Sequence, residues 1–121
     1  MQMGTGELNK RIDIVTIETV QNDNGFETET EILYNIAWSK VANISGTEVF
    51  KAGADYSKVM TRFIVRYSKN KKYTANMKIR YDGVRPVEGE IDTRILYNIV
   101  YVNNYGESNQ YIELVAEVVV L

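Results

Sequence analysis

The sequence predicts a mainly β fold: a small antiparallel β-barrel, sandwich-like, with one short helix. Three observations carry this reading. Stretches of alternating β-branched and aromatic residues recur along the chain. Turn-forming clusters such as Gln21-Asn22-Asp23-Asn24-Gly25 and Asp82-Gly83 separate them. A single capping-box spacing, Ser45-Gly46-Thr47-Glu48, interrupts the pattern.

Taken in order, Lys10 to Val20 alternates and is rich in Ile, Val and Thr, so it reads as a strand. The turn at 21–25 follows, with Gly25 free to take positive φ. In Phe26 to Ile32 the residues Glu27, Glu29 and Glu31 share one face of an extended strand, and Thr28, Thr30 and Ile32 the other. A second alternation runs from Tyr34 to Ile44. It sets Ile36, Trp38, Lys40, Ala42 and Ile44 against Ala37, Ser39 and Val41. At the capping box, the Ser45 oxygen accepts from the Glu48 backbone N–H and the Glu48 carboxylate reaches back to Ser45. That predicts a short helix to about Ala54.

Lys58 to Tyr67 is the clearest strand. Val59, Thr61, Phe63, Val65 and Tyr67 lie on one face; Met60, Arg62, Ile64 and Arg66 lie on the other. A polar loop with Lys69, Lys71 and Lys72 leads to a strand at Met77–Tyr81, closed by Asp82-Gly83. Residues 84–94 read as a mobile loop, Ile95–Val102 as a strand, Asn103–Asn109 as a turn, and Tyr111–Leu121 as the last strand. Residues 1–8 read as an N-terminal arm. The whole of 1–121 is expected to be one domain.

Composition limits the function classes. The chain has 121 residues, 45% hydrophobic and 25% charged, which is globular composition. Its net charge of −2 and pI near 5.2 lack the positive excess of a protein that grips nucleic acid by the backbone. No apolar run approaches the ~20 residues of a membrane span, and the first ten residues lack a signal-peptide core. Synthesis and use in the cytoplasm, or release by cell lysis, is the expectation. Cysteine and histidine are both absent. That removes disulfides, thiol and Ser–His or Cys–His catalysis, and nearly all zinc sites. No catalytic residue, cofactor or metal ligand is expected.

Short motifs do not change this. Gly4-Thr5-Gly6 follows no strand and lacks the rest of a phosphate loop. Ser68-Lys69-Asn70-Lys71 fits Ser-x-x-Lys as a string, but lies in a loop and lacks that motif's partners. Asn22–Gly25 lacks the leading acid and closing glutamate of a calcium loop. Tyr97, Tyr101, Tyr105 and Tyr111 suit base stacking in principle, yet without a basic groove they read as core and interface residues. The charge pattern says more. Arg62 and Arg66 share one strand face, Lys78 and Arg80 another, and pairing of those strands would join them in a basic patch. Glu27, Glu29 and Glu31 make an acidic stripe. A solvated face explains such stripes; so does a subunit contact, in which complementary charge sets register.

The order of these segments resembles the head–tail joining proteins (head closure, or stopper) of tailed bacteriophages. The resemblance rests on Gly6-Glu7-Leu8 with Arg11-Ile12-Asp13-Ile14, the Asp23–Phe26 turn, and Trp38-Ser39-Lys40-Val41. Ser45-Gly46-Thr47-Glu48 with Phe50 follows, then Thr61–Tyr67 and Met77–Gly83. Tyr97-Asn98-Ile99 with Val102, and Ile112-Glu113-Leu114 with Val118, complete it. The family runs almost directly from Asp-Gly to Tyr-x-Ile, whereas here Pro86–Arg94 intervenes.

The resemblance implies a β-barrel that assembles as a ring beneath a portal and its adaptor, closes the filled head, retains DNA and offers a surface to the tail. It implies no enzymatic activity and no cofactor. The subunit would be made in the bacterial host cytoplasm and reside at the head–tail interface of the virion, with double-stranded DNA passing without sequence-specific binding. On that frame Arg62, Arg66, Lys78 and Arg80 are expected to meet Glu27, Glu29 and Glu31 of a neighbour. Glu88, Gly89, Glu90 and Asp92 are expected on a loop in the channel. The isolated protein is expected to be soluble, and monomeric or weakly associated. Alternatives are a tail terminator or another ring-forming tail protein, an oligonucleotide-binding barrel, and a carboxylate or lysine enzyme.

Overall fold

The computed structural model describes residues 8–43, 60–104 and 110–119. Six strands account for most of them: β1 (Lys10–Gln21), β2 (Glu27–Asn43), β3 (Met60–Arg66), β4 (Lys78–Tyr81), β5 (Ile95–Asn104) and β6 (Tyr111–Val118). Every pairing is antiparallel, and the order β1-β2-β3-β6-β5-β4 closes on itself where Asp13–Val15 of β1 meets Lys78–Arg80 of β4.

The alternation read from the sequence becomes the inside and outside of this closed sheet. Ile12 and Ile14 of β1, Phe63 and Val65 of β3, Ile79 of β4, Tyr97 and Ile99 of β5, and Leu114 and Ala116 of β6 fill the interior. Ala37 and Val41 of β2 pack against them. Phe63 sits at the centre, with the Tyr97 and Tyr81 rings edge-on at 5.1 and 5.7 Å. Such edge-to-face contacts place the positive ring edge on the negative ring face. A smaller outer cluster of Leu8, Ile64 and Tyr111 covers the outer side of β3 and β6. Both faces of β3 are therefore largely buried, which suits its unbroken apolar run Phe63-Ile64-Val65.

The expected fold class is corrected here. The described residues are strand and loop without a helix, and one closed sheet stands where a helix-bearing, sandwich-like β-barrel was expected. The helix expected at 45–54 lies outside the described residues. The strands rest on apolar burial repeated over many positions, which fills the closed sheet.

Two further differences matter for function. The stretches 26–32 and 34–44 form one 17-residue strand, β2, with an irregularity opposite Ile14 and Val15 that leaves Tyr34 as the extra residue. Asp82-Gly83 does not close a tight hairpin. β4 and β5 are neighbours, but residues 82–94 connect them as a long loop. Gly83 is needed there for close approach, because a Cβ would meet Arg94 Cγ at 3.1 Å.

Candidate assembly interface

The first candidate surface is a hairpin arm. β1 and β2 continue to pair over six rungs, from Thr16↔Ile32 to Gln21↔Glu27, beyond the last contacts of β1 with β4 and of β2 with β3. At about 3.4 Å per residue this ribbon projects some 20 Å from the body. Its turn is tightly made. Asn22 Oδ1 accepts from the N–H groups of Asn24 and Phe26 at 3.0 and 2.9 Å, and Gly25 takes φ 83°. All residues from Glu18 to Leu33 are exposed, including Phe26 at 70%. A two-stranded ribbon is marginal in water by itself, which makes the arm a candidate contact surface. One arm face carries Glu27, Glu29 and Glu31 with Ile17, Thr19 and Gln21; the other carries Val20, Thr28, Thr30 and Ile32.

The second surface is the 82–94 loop, and a charge network ties its C-terminal end to the sheet. Arg94 places its guanidinium fork on Asp92, with Nε donating to Oδ1 at 3.0 Å and Nη2 to Oδ2 at 2.7 Å. The same Nη2 lies 3.0 Å from Oδ2 of Asp13, a buried residue of β1 that Arg85 also approaches at 3.5 Å. Arg80 of β4 donates from Nη1 to the Arg94 carbonyl at 3.0 Å and lies 3.0 Å from Glu31 at the root of the arm. The network thus links loop, sheet and arm. The hydrogen bond from Arg94 holds the Asp92 carboxyl below the usual range, against the opposing effect of partial burial. The same bond raises the pKa of Arg94. The rest of the loop is outward, with Val84, Val87 and Ile91 at 83%, 65% and 87% exposure and Glu88, Gly89 and Glu90 exposed beside them.

The four cations picked from the sequence are not brought into one patch. β3 pairs with β2 and β6, whereas β4 pairs with β1 and β5. Arg62 is ion-paired with Glu113 of β6, Lys78 donates to Asn98 at 3.2 Å, and Arg80 holds Glu31 within the same chain. Arg66 is exposed. Glu27 and Glu29 are exposed on the same arm face as Glu31, which holds Arg80. Asp92 lies in the network rather than at the loop tip.

A third surface escaped sequence reading. At the end of the sheet where the arm emerges, a cleft of about 250 Å³ has Tyr73, Val102 and Ile112 in its lining and Lys69, Lys71 and Lys72 at its rim. Lys71 is committed to Tyr34, donating to its carbonyl at 3.2 Å and lying 4.8 Å from its ring centre. Lys69 and Lys72 are exposed. The three lysines were legible in the sequence, but not the apolar floor, which comes from three separate segments.

Of the tyrosines, Tyr97 and Tyr111 are buried and Tyr101 is exposed, while Tyr105 lies outside the described residues. Burial raises the Tyr97 phenol pKa. Ser68 belongs to a turn in which its Oγ accepts from the Asn70 N–H at 3.3 Å. Gly4-Thr5-Gly6 lies outside the described residues. Among the described residues no cluster of carboxylates is arranged to hold a metal ion.

Comparison with known proteins agrees with the resemblance in the sequence. No curated protein sequence matches the chain. The solution structure of protein SF1141 from Shigella flexneri 2a, a structural genomics target, superposes with a TM-score of 0.64 at 21% identity, covering 96% of each chain. That likeness is one of fold. The family model for phage head completion proteins matches residues 3–119, and the chain belongs to this family.

Proposed function

We propose that this head completion protein works as a ring-forming subunit beneath the portal and its adaptor, closing the DNA-filled head and offering the tail its attachment surface. As a member of its family it is a structural protein of the phage head-to-tail connector, without enzymatic activity. It is made in the host cytoplasm, resides in the virion at the head–tail interface, and contacts other head and tail assembly proteins. The observation that supports a ring is the arm, a rigidly rooted extension with an acidic face that reaches well beyond its own subunit. Heterologous contacts of that kind repeat around a closed rotation.

Of the cation set, exposed Arg66 on β3 is the residue we assign to contact with the acidic face of a neighbour's arm. Reversing Arg66 to glutamate is expected to leave a folded monomer, because the residue is exposed, yet to block completion of particles. Particle counts by electron microscopy, with circular dichroism of the purified variant, test this. Normal phage yield would place Arg66 on a merely solvated face.

Glu88, Gly89 and Glu90 form the tip of the 84–94 loop, and in the gating reading they line the channel, where acidic tips repel DNA phosphates. A second reading is favoured by the exposed Val84, Val87 and Ile91: the loop is a contact to a tail or adaptor protein, since such apolar side chains suit an interface better than a DNA lumen. Deleting Glu88 to Glu90 leaves Asp92 and the network in place and separates the two. Heads that leak DNA before tails attach indicate the gate; heads that stay full but remain tailless indicate the contact.

A further inference from the structure

We infer that the arm tip docks, in trans, into the lysine-rimmed cleft of a second copy of this chain, with Phe26 as the apolar anchor. This rests on the ring reading and names the contact that would build the ring. The tip and the cleft are chemically complementary. Phe26 is 70% exposed, and Asp23, Glu27 and Glu29 flank it on exposed positions. The cleft offers Tyr73, Val102 and Ile112 for an aromatic ring, and the exposed residues Lys69 and Lys72 also line it. An aromatic side chain with acids on either side fits an apolar pocket with cations at its edge.

Geometry excludes the same contact within one chain. The cleft borders the root of the arm, since the Lys72 N–H donates to the Tyr34 hydroxyl at 2.9 Å and Tyr73 packs edge-on to Tyr34. Phe26 lies eight residues further along an extended strand, about 25 Å away. The β1–β2 pairing from Thr16↔Ile32 to Gln21↔Glu27 holds the arm extended, so its tip stays away from the cleft of its own subunit. Tip and cleft are different surfaces of one subunit. Their contact is therefore heterologous, propagates from copy to copy, and closes into a ring when the rotation permits.

The chain has no cysteine, which gives a clean test. Asn24→Cys at the tip and Thr74→Cys at the cleft are placed together in one chain, purified, and oxidised with copper phenanthroline at high protein concentration. Docking is expected to give a ladder of disulfide-linked trimers and larger species. Each single variant can give dimers at most. Adding Phe26→Ala should weaken association about 10- to 100-fold and remove the ladder. That side chain is largely exposed in the subunit, so folding is retained. A double variant with no product beyond the single-variant background would overturn the proposal. A ladder that persists in Phe26→Ala would overturn it too. Rings imaged in connectors while no tip-to-cleft disulfide forms would leave the ring reading standing and reject this contact alone. Absence of rings from the connectors would reject the ring reading itself.

Discussion

Replacing Phe63 by alanine is expected to destabilise the protein by about 3–5 kcal/mol, the range for an aromatic side chain removed from a packed core. Phe63 has no exposure to solvent. It lies on β3 between Val41 of β2 and Leu114 of β6, its register partners. The Tyr97 and Tyr81 rings meet it in edge-to-face contacts from the opposite wall. A closed sheet holds its walls apart through backbone hydrogen bonds, so the cavity cannot collapse as it can between two helices. The cost therefore falls near the upper part of the range. At roughly 4 °C per kcal/mol for a domain of this size, the melting temperature is expected to drop by about 12–20 °C. Urea unfolding followed by circular dichroism measures it directly. Phe63→Leu keeps most of the volume and is expected to cost less than half as much. A loss under 1 kcal/mol for the alanine variant would mean that Phe63 is not the centre of the core.

Phe63 also shows what a sequence makes legible. The strand Lys58–Tyr67 was readable because its alternation is long and its inner face is apolar, and Phe63 and Val65 of that face lie in the core. Trp38 shows a limit. It shares its face with Ile36, yet lies outside the sheet, 53% exposed, with the Arg11 guanidinium 5.0 Å from its ring centre. Asn35, Ala37 and Ser39 take the inner positions instead, and their small or polar side chains gave no core signal. The acidic stripe was readable as one face of a strand. That the strand continues past the body as an arm was not, because length beyond a sheet edge depends on where neighbouring strands stop. The basic patch failed for a related reason: strands that follow one another in sequence, β3 and β4, lie apart in a sheet ordered β1-β2-β3-β6-β5-β4. Residues 84–94 lack apolar alternation, so the sequence reads as a loop and does not show what its C-terminal end is tied to. An ion-pair network can anchor a loop without any apolar pattern, and only the fold brings Asp13 to Arg94.

Replacing Arg94 by methionine is expected to cost about 3 kcal/mol, near the lower end for removing one partner of a buried ion pair. Methionine keeps much of the stem volume but leaves Asp13 and Asp92 without their main partner. Asp13 has a side chain only 6% exposed, and its remaining cation is Arg85, 3.5 Å away on a side chain 52% exposed. A nearly buried carboxylate facing a half-exposed guanidinium recovers little of its lost hydration. Asp92 loses the two hydrogen bonds that chiefly depress its pKa. The pH dependence follows from that depression. A carboxylate whose folded pKa lies below its unfolded value contributes stability above the unfolded pKa, near 4, and loses it as pH falls through the folded value. The stability gap between the native chain and Arg94→Met is therefore expected to be full at pH 7 and smaller at pH 3. Paired urea titrations at those two pH values measure it. A gap below 1 kcal/mol at pH 7, or one that grows on acidification, would show that the network does not hold the loop. Arg80 joins the same network to Glu31, so loss of Arg94 is also expected to loosen the arm root. Faster amide exchange at Ile17 and Glu31 than in the native chain is the signature of that coupling. Unchanged exchange there would confine the effect to the loop.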